Sequence, residues 1–444
     1  MISKINLFKI FKLMNILLII STFFALKVHA HPIIPAEKQK ERIALTGATI
    51  HTITKGDIEG ATIIFENGKI TFIGKINEID KQTKVIDVTG KHIYPSMLAS
   101  LSSMGLSEID AVRATNDDTE VGEINPNVKA EIAFNPDSEV IPVTRANGVL
   151  LALSIPSGGL ISGTSSLMML DGWTKEDMTL KSGVGIHINF PSMRVNYSAE
   201  KAVEEQKEEI SKRIDKLTDF FEKAKIYYKA KNSKNNNEKP SFTNLKYEAV
   251  IPVLEKKTPV FIYADDIQQI QTAISWADKL DLKMVLVGGY DSWRVSKLLV
   301  EKNIPVIISS TLKTPAREWE AYDEPFTLAK KLYEAGVKYC IGTSASAFGT
   351  SNARNLPYNS AMAVSFGLPM DEGIKAITLY PAQILGVDNS VGSLEVGKDA
   401  TLIVTNGNPL EIPTNTELAF IQGKNIDLNN KHKTLYEKYK KKYN

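Results

Sequence analysis

"KHIYPSMLASLSSMGL", residues 91–106, decides how this chain divides. It reads as a half-buried β-strand, with Ile93, Tyr94, Met97 and Leu98 supplying apolar packing, that runs into a turn at Gly105. Before it, from Ile43 to Val88, lie short β-type runs broken by turn signals: "IALTGATIHTI", "ATIIFENGKITFIG" and "TKVIDVTG", with Asn67-Gly68 a strong hairpin signal. After it, apolar runs alternate with longer helical or loop stretches, as in a parallel sheet built from βα units. The runs are Ile93–Ser100, Gly148–Ile155, Ser165–Leu170, Val184–Phe190, Pro259–Ala264, Lys283–Gly288, Ile304–Ser309 and Lys338–Gly342, as many as a closed barrel needs. Near the far end, "GSLEVGKDATLIVTNGNPL" (Gly392–Leu410) and "ELAFIQGKNI" (Glu417–Ile426) return to the first style. Short strands with one apolar face need a second layer, so the two ends are expected to pair. The expected fold class is α/β: a (β/α)8 TIM-type barrel over 93–387 and a composite β-sandwich formed by the N- and C-terminal segments 42–92 and 388–426.

With 444 residues, 43% of them hydrophobic and 23% charged, the chain can bury at least one large core. A net charge of +2 leaves no footprint for nucleic acid, which is set aside as a partner. Residues 1–30 differ from the rest. Lys4, Lys9 and Lys12 precede the apolar run Met14–Leu26, and small residues flank His29 in Val28-His29-Ala30. This reads as a secretory signal peptide, since the run falls short of the roughly 20 residues that span a bilayer. The mature chain is then expected to begin near His31 and to be periplasmic or otherwise extracytoplasmic, a retained anchor being the alternative. Cys340 is the only cysteine, so no internal disulfide can form.

Residues 198–240 read as a helical insertion. Ser198–Asn232 is long, amphipathic and charge-rich, with Phe220, Phe221, Tyr227 and Tyr228 at its apolar end, and the polar "NSKNNNEKPS" follows. A helix covering the barrel and a surface loop is one reading, a substrate lid the other. Residues 427–444 end in the basic, aromatic "KHKTLYEKYKKKYN", either a solvated terminal helix or a contact for an anionic membrane surface.

"VIDVTGKHIYPSMLAS" (Val85–Ser100) and "ITLYPAQILGVDNSVGSLEVGKDATLIV" (Ile377–Val404) resemble the amidohydrolase superfamily, in its imidazolonepropionase-like branch. The resemblance implies hydrolysis of carbon–nitrogen bonds other than peptide bonds. It also implies zinc or iron held by His-x-His at the end of the first barrel strand, a His at the fifth and at the sixth, and an Asp at the eighth. Here those positions fall on Leu101 and Ser103, Tyr263, Gly288 and Ser344. Leu and Gly offer no donor, and neutral Ser and Tyr hydroxyls are poor ligands. Neither zinc nor iron is therefore expected as a cofactor, and no ion would lower the pKa of a bound water at those positions. Three further stretches are similar to a secreted subgroup that lacks the His-x-His pair: "MGLSEIDAVRATNDDTEVGEINPNV" (Met104–Val128), "IPSGGLISGTSS" (Ile155–Ser166) and "ARNLPYNSAMAVSFGL" (Ala353–Leu368).

Six histidines, at 29, 31, 51, 92, 187 and 432, exclude a distributed His metal site. His187, in "GIHINFP", is the one that can reach a barrel mouth, as an acid–base group or as a satisfied core histidine. Asp265 and Asp266, after the fifth strand, are further catalytic candidates, with a helix N-cap as the blander reading. The loop after strand one carries Glu108, Asp110, Arg113, Asp117, Asp118 and Glu120. Glu108, Arg113, Arg145, Tyr263 and Arg354 are the ligand-binding candidates; Arg suits carboxylate recognition, and structural ion pairs are the alternative. Tyr263 with the two aspartates, and Tyr290, Asp291 and Trp293 after strand six, would wall a small organic ligand. "IPSGGLISGTSS" is either an anion-cradling loop or a tight strand connection. Ser310-x-x-Lys313 lacks any supporting motif for a serine hydrolase.

Two functions follow. One is an exported hydrolase acting on carbon–nitrogen bonds other than peptide bonds, with the usual metal ligands replaced. The other is a catalytically inactive member that binds a small molecule or partners an active, metal-bearing paralogue, as a homodimer or heterodimer.

Overall fold

The stretch that divides the sequence also divides the fold, because it is two strands. The computed structural model describes residues 34–233, 235, 240 and 242–443. The expected signal peptide lies outside the described residues, as do positions 234, 236–239 and 241 of the polar stretch. At Ser96 the backbone changes partners. Its N–H donates to the Thr401 carbonyl at 3.1 Å, whereas the N–H of Met97 donates to Gly148 O at 3.1 Å.

The first sheet contains β1 (Ile43–His51), β2 (Asp57–Glu66), β3 (Lys69–Gly74), β4 (Lys84–Asp87) and β5 (His92–Pro95) from the N-terminal side. The barrel strands follow: β6 (Met97–Ser102), β7 (Val149–Ser154), β8 (Ile161–Met169), β9 (Thr179–Asn189), β10 (Val260–Ala264), β11 (Met284–Gly288), β12 (Val306–Ile308) and β13 (Tyr339–Ile341). The chain then returns to the first sheet with β14 (Leu402–Thr405), β15 (Thr416–Ile421) and β16 (Lys424–Asn425). The first sheet runs β16-β15-β14-β5-β1-β2-β3, with β4 also beside β1. Its two halves meet where β14 pairs antiparallel with β5, Leu402 opposite Pro95 and Thr405 opposite His92. Phe65 and Phe420 lock edge-on in the core between them, ring centroids 5.1 Å apart. The Asn67-Gly68 hairpin forms as expected, with φ of +50° and +79°, the left-handed values a tight strand-matching turn requires.

The second sheet runs in sequence order from β6 to β13. β6 is buried at every residue rather than half-buried, since a barrel strand packs on both faces. Neighbours are parallel except β8, which is antiparallel to both β7 and β9. The reason is the length of "IPSGGL", residues 155–160, between β7 and β8: a parallel return needs a dozen or more residues. Gly158 and Gly159, at φ +81° and +63°, make the tight reversal, so this loop is a strand connection. Between β13 and β6 the strands do not pair directly. Residues 376 and 377 bridge them, with Ile341 N–H on Ala376 O and Leu98 N–H on Ile377 O, each 2.9 Å.

Helix Val203–Lys231 buries Leu217, Phe220, Phe221 and Ala224, and Thr218 takes the indole N–H of Trp276 at 3.0 Å. Its apolar face covers the helix that follows β10, which is the covering role among the two readings. Helix Lys431–Tyr443 buries no residue. No described helix is long and apolar enough to cross a membrane.

Candidate functional site

The C-terminal ends of the parallel strands frame a cavity of about 490 Å³, where barrels of this kind do their chemistry. Leu101 comes from the end of β6, Asn189 from β9, Tyr263 from β10 and Gly288 from β11, with Ser309 and Ser344 just beyond β12 and β13. Asp110, Asp118 and Asp265 also line it, and among the described residues no Lys, Arg or His does. Asp118 accepts the Ser157 hydroxyl at 2.8 Å, which ties the loop after β6 to the reversal after β7.

Four of the five positions where the family resemblance places metal ligands therefore face one cavity. Their polar groups are already satisfied. The Tyr263 hydroxyl lies 3.0 Å from His187 Nδ1, and burial raises its pKa above the ordinary range. Ser344 Oγ lies 3.1 Å from Ser346 Oγ. Ser103, fully buried and outside the cavity lining, is 3.1 Å from Thr350 Oγ1 and donates its N–H to the same oxygen at 2.8 Å. Leu101 and Gly288 carry no donor. Side chains of this kind do not fit zinc or iron, which take nitrogen, thiolate or carboxylate ligands. Among the described residues no three His, Cys, Asp or Glu side chains group in a way that could hold a metal ion.

His187 needs correction as a mouth residue. It is fully buried, stacks on Phe261 with centroids 4.8 Å apart, and does not line the cavity. Desolvation pushes its pKa down to about 3, so it stays neutral through the physiological range and cannot exchange protons with a ligand in this arrangement. Asp266 is a helix N-cap: its carboxylate accepts Gln269 N–H at 2.9 Å. Asp265 alone of the three catalytic candidates lines the cavity.

Among the ligand-binding candidates, Tyr263 lines the cavity and the others do not. Arg145 is buried against Asp171 at 2.5 Å and Leu170 O at 3.1 Å, a structural ion pair ahead of β7, at the opposite end of the barrel from the mouth. Glu108 accepts the Asn135 amide at 3.3 Å and pegs the loop after β6 to that segment. Burial raises its pKa, with Ser138 and Asn135 opposing. Arg113 is exposed, and the Arg354 carbonyl takes the Asn147 amide at 2.6 Å.

The sequence reading missed a clamp over β11 and β12. Arg317 donates to both oxygens of Asp291, at 2.9 and 2.5 Å, and to Glu320 at 2.5 Å. Tyr290 donates its hydroxyl to Glu320 at 2.7 Å and accepts Ala316 N–H at 3.1 Å. From the other side, Asn359 Oδ1 receives the Ser310 hydroxyl at 2.7 Å and the N–H groups of Thr311 and Leu312 at 3.1 and 3.3 Å. Ser310 thus spends its hydroxyl on Asn359 and not on Lys313. The only advance signal was the cluster of charge and aromatics in "TLKTPAREWEAYDE" (Thr311–Glu324).

Fold and cavity together define a TIM-type barrel protein with a cavity at its strand ends. The chain resembles the amidohydrolase family, whose model matches residues 290–428. An imidazolonepropionase of Syntrophobacter fumaroxidans is 35% identical over 80 residues, 18% of this chain and 19% of that one. An imidazolonepropionase of Symbiobacterium thermophilum is 26% identical over 113 residues, a quarter (25%) of each chain. The chain thus aligns with a quarter or less of these relatives' lengths. The solved structure of an amidohydrolase from Thermotoga maritima is 27% identical and superposes with a TM-score of 0.76 over 87% of this chain and 99% of that one.

Proposed function

We propose that this chain is an exported hydrolase acting on carbon–nitrogen bonds other than peptide bonds, working without zinc or iron at the five strand-end positions. The observation that carries this reading is the cavity. It keeps the family's location while Leu101, Tyr263, Gly288 and Ser344 wall it with neutral groups and Asp265 brings a carboxylate. In this reading Asp265 takes a proton from the water that attacks the carbonyl carbon and passes it to the departing nitrogen as the C–N bond breaks. Residues 1–30 are a cleaved signal peptide and the protein is periplasmic. Segments 42–92 and 388–426 form the composite β-sandwich around a barrel of residues 93–387, as in the secreted subgroup without His-x-His.

A second reading has one observation in its favour: the barrel histidine His187 is sealed and neutral, and among the described residues no histidine lines the cavity. The chain is then a catalytically silent member that binds a small molecule, as a homodimer or beside a metal-bearing paralogue.

Elemental analysis of protein purified without added metal, together with turnover on a panel of amides and lactams with and without chelator, decides. The expected result is no stoichiometric zinc, iron or manganese, and chelator-insensitive turnover that Asp265→Asn abolishes. Stoichiometric metal overturns the metal-free reading. Absence of turnover with ligand-induced thermal shifts establishes the second.

A further inference from the structure

Beside the mouth cavity lies another of about 390 Å³, lined among others by Arg194, Asp265, Asp266, Tyr290 and Lys313. Asp265 lines both, so the two spaces adjoin at its side chain. Arg194 and Asp266 are committed to each other, Nε to Oδ2 at 3.3 Å. That leaves one ammonium and one carboxylate. Lys313 Nζ stands over the Tyr290 ring at 4.9 Å from its centroid and has no hydrogen-bond or ion-pair partner among the described residues. The Asp265 carboxylate receives the Tyr290 N–H at 3.3 Å and makes no ion pair there.

We infer that Lys313 and Asp265 form a two-charge subsite that binds a small carboxylate ligand, its carboxylate on Lys313 and its N–H-bearing part at Asp265. The subsite rests on the reading of the mouth as a small-molecule site and names the ligand class.

Three things support it. Lys313 is held in place: Asn359 fixes residues 310–312, and Tyr290 and Arg317 fix residues 316 and 317. An ammonium in partly dry surroundings without a counter-ion is costly, and a ligand carboxylate removes that cost while gaining a charge-assisted hydrogen bond. Desolvation lowers the Lys313 pKa and only the charge of Asp265 opposes it, as expected for a cation awaiting an anion. A neutral amide of the same shape would leave the ammonium uncompensated, so the subsite distinguishes acids from their amides.

The test is calorimetric titration of the full chain with straight-chain monocarboxylates of two to six carbons and with the matching primary amides, at low salt. Acids are expected to bind about tenfold tighter than amides. The preference should vanish in Lys313→Met and persist in Lys313→Arg, with the unfolding temperature of each variant confirming that it is folded. Equal binding of acid and amide, including no binding of either, overturns the subsite, and so does a preference that survives Lys313→Met. Turnover plays no part in this readout, so failure of the hydrolase reading and failure of the subsite remain separate results.

Discussion

The barrel mouth has two unlike sides. Over β11 and β12, the connection through residues 309–323 is pinned by charge: Arg317 between Asp291 and Glu320, with Tyr290 on Glu320. Over β6 and β13 the contacts are neutral hydroxyl pairs, Ser103 with Thr350 and Ser344 with Ser346. A metal site places several buried donors together and relies on the ion to compensate them. Leu, Ser, Tyr and Gly need no such compensation, because their few polar atoms satisfy one another. The neutral side is therefore stable as it stands, and the charged side is stable only as a complete set.

The largest effect should come from breaking that set. Arg317→Met leaves Asp291, 1% exposed, with only the longer contact to Arg294 at 3.5 Å and the Ile267 N–H at 3.1 Å. Burial pushes the Asp291 carboxyl up, and the hydrogen bonds and charge of Arg317, joined by the Ile267 N–H and the charge of Arg294, outweigh it, so its pKa lies below the usual range. Removing one member of a buried pair costs about 3–5 kcal/mol, and the remaining Arg294 contact places this loss toward the low end of that range. Denaturant unfolding should show that loss, and amide exchange should quicken through residues 309–323. Ser344→Ala, on the neutral side, should cost about 1 kcal/mol or less. Equal losses on the two sides would erase the distinction between them.

The barrel interior beneath the mouth gives the next effect, read by pH. The His187 pKa is lowered from 6.5 to about 3 by desolvation. Below about pH 6.5 the unfolded chain binds a proton that folded His187 refuses, so stability falls as the pH drops and the loss is complete only below the folded value. At pH 5 the loss amounts to roughly 2 kcal/mol. The stability of His187→Leu should accordingly fall less steeply than that of the wild type between pH 7 and 5. Parallel slopes would mean that His187 is protonated in the folded protein and in contact with solvent or an anion.

Local signals in the sequence were legible and distant ones were not. Asn67-Gly68 needs nothing beyond two residues to declare a hairpin, and the apolar runs marked all eight barrel strands because each carries a run of consecutive buried residues. The reversed β8 was legible in principle, since residues 155–160 are too few for a parallel crossover. The hand-over at Ser96 was not, because it depends on Thr401 and Gly148, which are remote along the chain. The same holds for the site. Leu101, Tyr263, Gly288 and Ser344 fell at the cavity because strand ends define it, whereas Lys313 depends on Asn359, Tyr290 and Arg317 arriving from separate elements. Arg145 looked like a ligand anchor until folding placed Asp171 beside it.

The smallest effect separates two neighbours that the sequence cannot tell apart. Asp266 caps helix Ile267–Lys279 through Gln269 N–H at 2.9 Å, so Asp266→Ala leaves a helix-end donor unpaired and should cost about 1 kcal/mol. Its contact with Arg194 adds little, because Arg194 is 60% exposed. Asp265 caps nothing. Its carboxylate takes one long contact from Tyr290 N–H, so Asp265→Ala should shift the unfolding midpoint by no more than about 0.5 kcal/mol. Denaturant unfolding of the two variants side by side checks this. If Asp265→Ala proves as destabilising as Asp266→Ala, its carboxylate is part of the scaffold and is no longer free to meet a ligand.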